Sequence, residues 1–229
     1  MGMRIVDLAK LLDPATEKRR CAVRRYYTVV NGADGFHSEI DISSHLGTHL
    51  EFPYHFKEGW KDGSRLPPSA FCGRGVLLNL EKAGPNAPIR RTDLDQADRG
   101  WVRRGDTVLL DSPFHSEPFV SSPDDRRPDL SKEAGLWFLE KHVQCVGWGD
   151  GIAIENEPLG CQMFHEILLS EDILVLEVVK NLDQLRQDAF LIVYAPLPNV
   201  GLDSCPVRVL AIEGLAFGDE VDAEEHRRA

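Results

Sequence analysis

One short stretch of the chain is unusually dense in side chains that bind metals: His45-Leu-Gly-Thr-His49-Leu-Glu51-Phe-Pro-Tyr-His55. Three of the eight histidines of the chain fall within these eleven residues, together with one glutamate. Imidazole and carboxylate groups suit zinc, manganese or iron, and a catalytic site typically uses about three of them and leaves one position for water. The stretch therefore predicts a divalent metal site. The plainer alternative is a polar loop that happens to be rich in histidine.

The spacing of these residues limits how the stretch can fold. In a straight strand His45 and His49 would stand about 13 Å apart, at roughly 3.3 Å per residue, which is too far for one ion. We expect either one turn of helix, which brings side chains four residues apart together, or a sharp bend at Gly47. Pro53 excludes a long helix, so we predict an extended exit that carries His55. His55 would then lie apart from the ligands and be free to move protons.

Outside this stretch, short runs rich in β-branched and aromatic residues recur between turn residues, which predicts a strand-rich chain. The predicted strands are 4–8, 26–30, 38–42, 75–80, 107–111, 145–147, 173–179, 190–195 and 207–212. Helical periodicity is clearer after a cap at Thr92, over 133–142 and over 161–169. The pattern predicts an α/β chain of the α+β type, organised as a single domain over residues 1–229.

Composition narrows the possible partners and the compartment. The formal net charge of -11 gives a field that repels phosphate, so we expect neither nucleic acid nor an anionic membrane as a partner. No stretch approaches the roughly 20 apolar residues of a membrane span, and the N-terminus has no apolar core of signal-peptide length. The five cysteines show no CxxC spacing, and an odd number cannot all form disulfide pairs within one chain. This fits a reducing compartment. We therefore predict a cytoplasmic protein.

The stretch also resembles the signature of a known family. With Gly47-Thr48 between two histidines, Pro53 after the carboxylate and His55 at the end, it is similar to the cyclase, or kynurenine formamidase-like, family of metal-dependent hydrolases, whose signature reads H-x-G-T-H-x-D-x-P-x-H. Six of the seven fixed positions match, and Glu51 stands where aspartate is usual. A second likeness is the spacing from His165 to Glu177. Weaker likeness covers most of the chain, including the segment 201–208.

This resemblance implies a fold and a set of site residues. The fold is a swivelling β/β/α arrangement, strand-rich with short flanking helices, and the cofactor is one or two divalent ions per subunit, zinc or manganese. The implied ligands, in one site or two, are His45, His49, Glu51, His165 and Glu177. His55 is the implied acid/base. Because members are commonly dimers or larger, the resemblance implies a homodimer or higher homo-oligomer.

The expected activity is hydrolysis of an amide (formamide or lactam-type) or ester bond in a small molecule, by attack of metal-bound hydroxide with His55 as general acid/base. The alternative is a non-catalytic structural or regulatory protein that binds metal. Loop 13–23 lacks the Trp-Pro-Gly type segment that formamidases use to hold an aromatic substrate, which counts against formylkynurenine. Two questions stay open: whether the aromatic residues of 52–60 belong to the core or line a pocket, and whether Glu155 and Glu157 face the site or a surface turn.

Overall fold

The structure is a computed structural model and describes residues 2–116, 124–154 and 158–215. Its strands are β1 (Arg4–Asp7), β2 (Cys21–Val30), β3 (Ala33–Ile42), β4 (His49–Glu51), β5 (Cys72–Asn79), β6 (Thr107–Asp111), β7 (Cys145–Gly149), β8 (Leu174–Val179), β9 (Ala189–Val193), β10 (Ser204–Pro206) and β11 (Leu210–Glu213). Its α-helices are α1 (Pro53–Phe56), α2 (Arg91–Asp98), α3 (Lys132–Lys141) and α4 (Pro158–Leu169). Among the described residues, no helix has the length and apolar character needed to cross a membrane.

Within the described parts of the chain, nine strands form one mixed sheet in the order β1-β11-β9-β5-β6-β7-β8-β4-β10. Strands β5 to β8 run parallel in its middle, and the strands on either side of them are antiparallel to their neighbours. Parallel strands need long crossovers, and the helices α2, α3 and α4 lie within those connections. The predicted class, a strand-rich α+β chain with short helices, is confirmed.

Apolar side chains project from both faces of the central strands, so the sheet separates two hydrophobic cores. Val108 and Leu110 of β6 belong to the core that includes residues of α2, α3 and α4, whereas Leu109 belongs to the core on the other face. Burial on both faces explains why β6, β7 and β8 appear in the sequence as continuous apolar runs. That the whole chain is a single domain stays a prediction.

Strands β2 and β3 form a separate two-stranded ribbon, here named the β arm (Cys21–Ile42). Asn31 and Gly32 join the strands with φ values of 52° and 80°. Positive φ at both central residues is the mark of the type I′ turn, for which Asn-Gly is the strongest sequence signal. The arm is therefore longer than the predicted strands 26–30 and 38–42.

Several element boundaries differ from the prediction. Helix α2 begins at Arg91, so Thr92 lies inside its first turn instead of capping it, and the Asp93 carboxylate accepts a hydrogen bond from the Arg90 N–H. The predicted strand 207–212 is wrong at its start, because the chain leaves β10 at Pro206 and enters β11 at Leu210. Glu155 and Glu157 lie outside the described residues.

Candidate metal centre

The sheet register brings three of the predicted ligands to one face. His49 of β4 lies directly opposite Glu177 of β8 in an antiparallel pair. Because side chains two residues apart share a face of a strand, Glu51 points the same way as His49. Helix α4 contributes His165, whose Nε2 lies 3.4 Å from Oε1 of Glu177, while Oε2 of Glu177 lies 3.4 Å from Nε2 of His49. All three side chains on the strands are buried.

A bend at Gly47 brings His45 to the same centre. Gly47 has φ of 59°, and a Cβ there would lie 2.4 Å from a methyl carbon of Leu12, so any other residue would strain the backbone and displace Leu12. The bend places His45 Nδ1 3.2 Å from His49 Nε2. Of the two predicted geometries, the bend is confirmed and the helical turn is wrong.

Thr48 ties this bend to the neighbouring strand. Its hydroxyl donates to the Val178 carbonyl at 2.6 Å and accepts from the Lys10 N–H at 2.8 Å. Val178 has φ of 59°, which is a rare and strained conformation for a β-branched residue. The strained residue directly follows Glu177, so the Thr48 hydrogen bond helps to hold that carboxylate in register with His49.

The predicted extended exit to His55 is wrong. His55 lies in the short helix α1, which begins at Pro53, where the fixed φ of proline favours the first helical position. This turn brings the chain back toward the centre, so His55 Nε2 lies 3.7 Å from Oε1 of Glu51. The His55 side chain is 34% exposed, whereas that of His49 is fully buried.

Two of the histidines have a defined tautomer because of their backbone partners. Nδ1 of His49 lies 2.8 Å from the Gly47 carbonyl, and Nδ1 of His165 lies 2.8 Å from the Cys161 carbonyl. A carbonyl oxygen only accepts, so both Nδ1 atoms carry a proton. In the neutral rings each Nε2 then carries a free lone pair, and both Nε2 atoms face the carboxylates of Glu51 and Glu177. Metal-binding histidines are commonly oriented in this way.

Glu51 is the hub of the cluster. Its Oε1 lies 3.0 Å from His45 Nδ1 and 3.7 Å from His49 Nε2. Its Oε2 lies 3.4 Å from His165 Nε2 but accepts no hydrogen bond from any described residue, although it is buried. A buried carboxylate oxygen normally has a partner. Together with the two Nε2 lone pairs, this oxygen forms a donor set that fits a divalent cation.

The buried charges of the cluster perturb one another strongly. Burial alone would lower the pKa of His49, but the carboxylates of Glu177 and Glu51 raise it to about 9. Burial likewise opposes the charge of His165, yet its contacts with Cys161, Glu177 and Glu51 raise its pKa well above the usual value. The pKa of Glu51 is well below its usual range, because the histidines outweigh the effect of burial. Without a metal the carboxylates thus favour protonated histidines, and a bound cation would take the place of those protons.

Asp203 is a member of this centre that the sequence reasoning did not identify. Its Oδ2 lies 2.8 Å from His45 Nε2 and 3.4 Å from His55 Nδ1. Burial acts to raise the pKa of Asp203, but hydrogen bonds from His45 and Ser44 lower it overall. The weaker family likeness of segment 201–208 includes this aspartate but gives it no role, because Asp203 lies 148 residues beyond His55 and joins the centre through the pairing of β10 with β4.

A cavity of about 610 Å³ opens beside the cluster. The residues that line it are Arg19, Ser43, His45, Glu51, His55, Phe56, Ile154, Pro158, Cys161, Gln162, His165 and Glu177. Of the aromatic residues in 52–60, Phe52 belongs to the core, while Phe56 lines the cavity and stacks on Trp60. The cluster therefore borders a space large enough for a small organic molecule.

A mixed sheet with flanking helices and a buried cluster of histidines and carboxylates at a cavity defines a class: α+β proteins with a centre suited to divalent metals. A sequence model of the family described as "Putative cyclase" matches residues 6–156, and the chain belongs to that family. The resemblance drawn from the His45–His55 stretch is confirmed.

Relatives cover almost the whole chain. Kynurenine formamidase from Salinibacter ruber is 25% identical over 219 residues, covering 91% of this chain and 97% of the relative. Isatin hydrolase A from Labrenzia aggregata, solved with bound benzyl benzoate, shares the fold with a TM-score of 0.71 at 22% identity, covering 92% and 93% of the two chains. A predicted metal-dependent hydrolase from Bacillus stearothermophilus has a TM-score of 0.67 at 22% identity, with coverage of 93% and 100%. The prediction that the chain is an enzyme of this family is confirmed.

Proposed function

We propose that this enzyme is a metal-dependent hydrolase that cleaves an amide bond, of formamide or lactam type, or an ester bond in a small organic molecule. The observation that carries the proposal concerns Oε2 of Glu51, which accepts no hydrogen bond from any described residue although it is buried. It lies 3.4 Å from Nε2 of His165, and Oε1 of the same carboxylate lies 3.7 Å from Nε2 of His49. Ion pairs with protonated histidines satisfy the cluster only in part, because Oε2 of Glu51 is left without a hydrogen bond. A divalent cation satisfies them together.

The predicted ligands divide into two overlapping groups that share Glu51, and a third possible group consists of His45, His55 and Asp203. Nδ1 of His45, Nε2 of His49 and Glu51 form one group, and Glu51, His165 and Glu177 form the other. The overlap suits one or two ions per subunit, with zinc and manganese both compatible with nitrogen and carboxylate ligands. When bound, such an ion supplies the Lewis acidity that activates water and polarises a carbonyl.

The residues beside the ligands fit hydrolysis of a neutral organic substrate. His55 reaches the cavity with its Nε2 on the side of Glu51, where it can give a proton to the leaving nitrogen or oxygen. Phe56 and Ile154 add apolar surface, and Gln162 adds an amide that can orient a carbonyl group. The half-exposed His55 and the open cavity favour an enzyme over a purely structural metal site.

The names of relatives support this choice of bond. One relative is called a kynurenine formamidase and a structural neighbour an isatin hydrolase, so formamide and lactam bonds are the chemistry to test first. The chain departs from formamidases in the loop 13–23, and we therefore place formylkynurenine after other formamides and lactams in that test.

The proposal is tested by hydrolysis assays on metal-free protein reloaded with zinc or manganese. We expect cleavage of at least one formamide, lactam or small ester, complete loss of it with chelator, and recovery when the metal is returned. Chelation should also lower the melting temperature, because an ion that binds only the folded state stabilises it. Protein that binds neither metal, or that hydrolyses the same substrate equally well after chelation, would contradict the proposal.

We also propose that the enzyme is a homodimer or larger homo-oligomer, with the β arm as its contact. Side chains alternate along the arm, so one face carries mainly apolar residues and the other mainly polar ones. The exposed apolar residues of the first face are Val23, Tyr27, Val29, Phe36, Ile40 and Ile42. Such alternation is typical of a sheet with one face packed on a core, and a second copy of the chain would cover this face.

Placing charge on the apolar face of the arm is expected to separate the subunits. The double variant Tyr27→Asp/Ile40→Asp puts carboxylates where about 1.5–3 kcal/mol per side chain is gained by burial. We expect its mass, measured by light scattering after size exclusion, to fall to that of a monomer. Thr28→Asp, on the opposite face of the arm, is the control and should keep the wild-type mass. A monomeric wild type, or an unchanged mass of the double variant, would argue against this role of the arm.

We further propose that the enzyme works in the cytoplasm. All five cysteines are free thiols, and two of them are buried. Free thiols persist in reducing compartments, which supports this assignment.

A further inference from the structure

The carboxylate of Asp203 joins the two histidines that have the most different roles in the proposed centre. Oδ2 lies 2.8 Å from Nε2 of His45, a proposed ligand, and 3.4 Å from Nδ1 of His55, the proposed acid/base. The two imidazole rings lie 4.7 Å apart between their centroids. One oxygen atom therefore contacts both rings on the sides that face away from Glu51.

The backbone around Asp203 is held firmly. Its carbonyl accepts a hydrogen bond from the Phe52 N–H at 3.0 Å, and the next residue, Ser204, is the register partner of Glu51. On the other side, the Gly201 N–H donates to Oδ2 of Asp62 at 2.7 Å. The carboxylate is thus placed by the same strand pairing that places the ligands of β4.

An ionised carboxylate only accepts hydrogen bonds, so its position decides which ring nitrogens carry protons. His45 must donate from Nε2, which leaves the Nδ1 lone pair facing Glu51 and His49. His55 must donate from Nδ1, which leaves Nε2 unprotonated and facing the cavity. Carboxylate partners of this kind fix the tautomer and the ring orientation of metal-binding histidines.

We infer that Asp203 is the shared positioning residue of the centre. Through His45 it presents a nitrogen to the metal, and through His55 it presents a nitrogen to the substrate. This inference rests on the proposed function, because it assigns the two rings the roles of ligand and acid/base. It predicts that one substitution weakens metal binding and proton transfer by two separable routes.

Asp203→Asn is the test variant, since it keeps the size of the side chain but removes its charge and allows an N–H to face the rings. Asp172→Asn is the matched control, because Asp172 is an exposed carboxylate paired with Lys61. Each variant is titrated with zinc and with manganese, and turnover is measured at saturating metal. Both substitutions are also made in the H55A background, and the tautomer of His55 is read from its ¹⁵N signals in the zinc-loaded protein.

We expect Asp203→Asn to weaken metal binding about 10- to 100-fold in both backgrounds, without a change in the number of ions bound. Turnover should fall about 10- to 100-fold in the wild-type background and no further in the H55A background, since the second route acts through His55. The Nδ1-protonated form of His55 should also be lost. Asp172→Asn should match the wild type in all three measurements.

Other results would overturn the inference. If Asp203→Asn behaves like Asp172→Asn while the wild type binds metal and hydrolyses its substrate, Asp203 has no positioning role and the proposed function stands. Loss of a whole metal equivalent would make Asp203 a ligand instead. A further loss of turnover in the H55A background would show that it does not act through His55. A wild type that binds no metal would remove the proposed function and this inference together. If the wild type binds metal but hydrolyses nothing, the proposed function fails, and the metal titration and the ¹⁵N signals of His55 decide whether Asp203 is a positioning residue.

Discussion

Replacing Glu51 by glutamine is expected to abolish hydrolysis and to remove the metal from the protein. The carboxylate lies within 3.7 Å of four histidines, three through Oε1 and one through Oε2, and belongs to both proposed ligand groups. The amide keeps the shape but removes the charge and turns one oxygen into a donor that points at the ligand nitrogens. Among the described residues, Glu51 alone belongs to both groups of predicted ligands. Turnover should therefore fall by more than about 10³-fold, beyond the roughly 10- to 100-fold effect of an outer partner.

Two further variants give this prediction its controls. Glu213→Gln makes the same change at a buried glutamate that pairs with Arg4, outside the metal-binding cluster, so it should cost stability but leave the metal in place. Glu51→Asp keeps the charge but shortens the side chain by one methylene, and we expect it to retain more metal than Glu51→Gln. Both control variants are checked by two measurements, metal content by elemental analysis and turnover with added metal. A Glu51→Gln protein with wild-type metal content would show that the carboxylate is not a ligand.

Replacing His55 by alanine is expected to separate chemistry from metal binding. The histidine lies at the cavity with a 34% exposed side chain, and its Nε2 is 3.7 Å from Glu51. Loss of a positioned acid/base typically costs about 10²- to 10⁴-fold in rate, so turnover should fall within that range. Metal content should stay near that of the wild type, because His45, His49, Glu51, His165 and Glu177 remain.

His142 offers a matched control for that measurement. It is an exposed histidine with φ of 53° at the end of α3, where asparagine is also tolerated, so His142→Asn should leave turnover and metal content unchanged. If His55→Ala turned over substrate at the wild-type rate, its proposed role as acid/base would be wrong. If it lost a metal equivalent, His55 would be a ligand instead.

Much of the centre could be predicted from the sequence because its first half is local. The bend at Gly47 is one of the two geometries that the spacing of His45 and His49 left open, and the freedom of glycine at positive φ permits it. The runs at 107–111, 145–147 and 173–179 likewise predicted the strands β6 to β8, although not their burial on both faces. The Asn31-Gly32 pair was an available signal that would have extended the β arm to its full length.

The parts that were missed depend on contacts distant in sequence. Strand β10 and Asp203 belong to the centre only because β10 pairs with β4, more than 150 residues earlier in the chain, and three-residue strands show no periodicity to detect. Helix α1 was missed because the prediction used Pro53 only to exclude a long helix, whereas proline at a first helical position also begins a turn. That turn changes the account of His55, since it brings the ring back to Glu51.

The central claim is that the cluster around Glu51 holds a divalent metal ion, and anomalous diffraction from crystals soaked in zinc or manganese tests it most directly. We expect one or two peaks between the carboxylates of Glu51 and Glu177 and the ring nitrogens of His45, His49 and His165. Each zinc peak should lie about 2.0–2.2 Å from its nitrogen and oxygen ligands. A map with no peak at this position, in which the histidines and carboxylates contact only one another, would contradict the account.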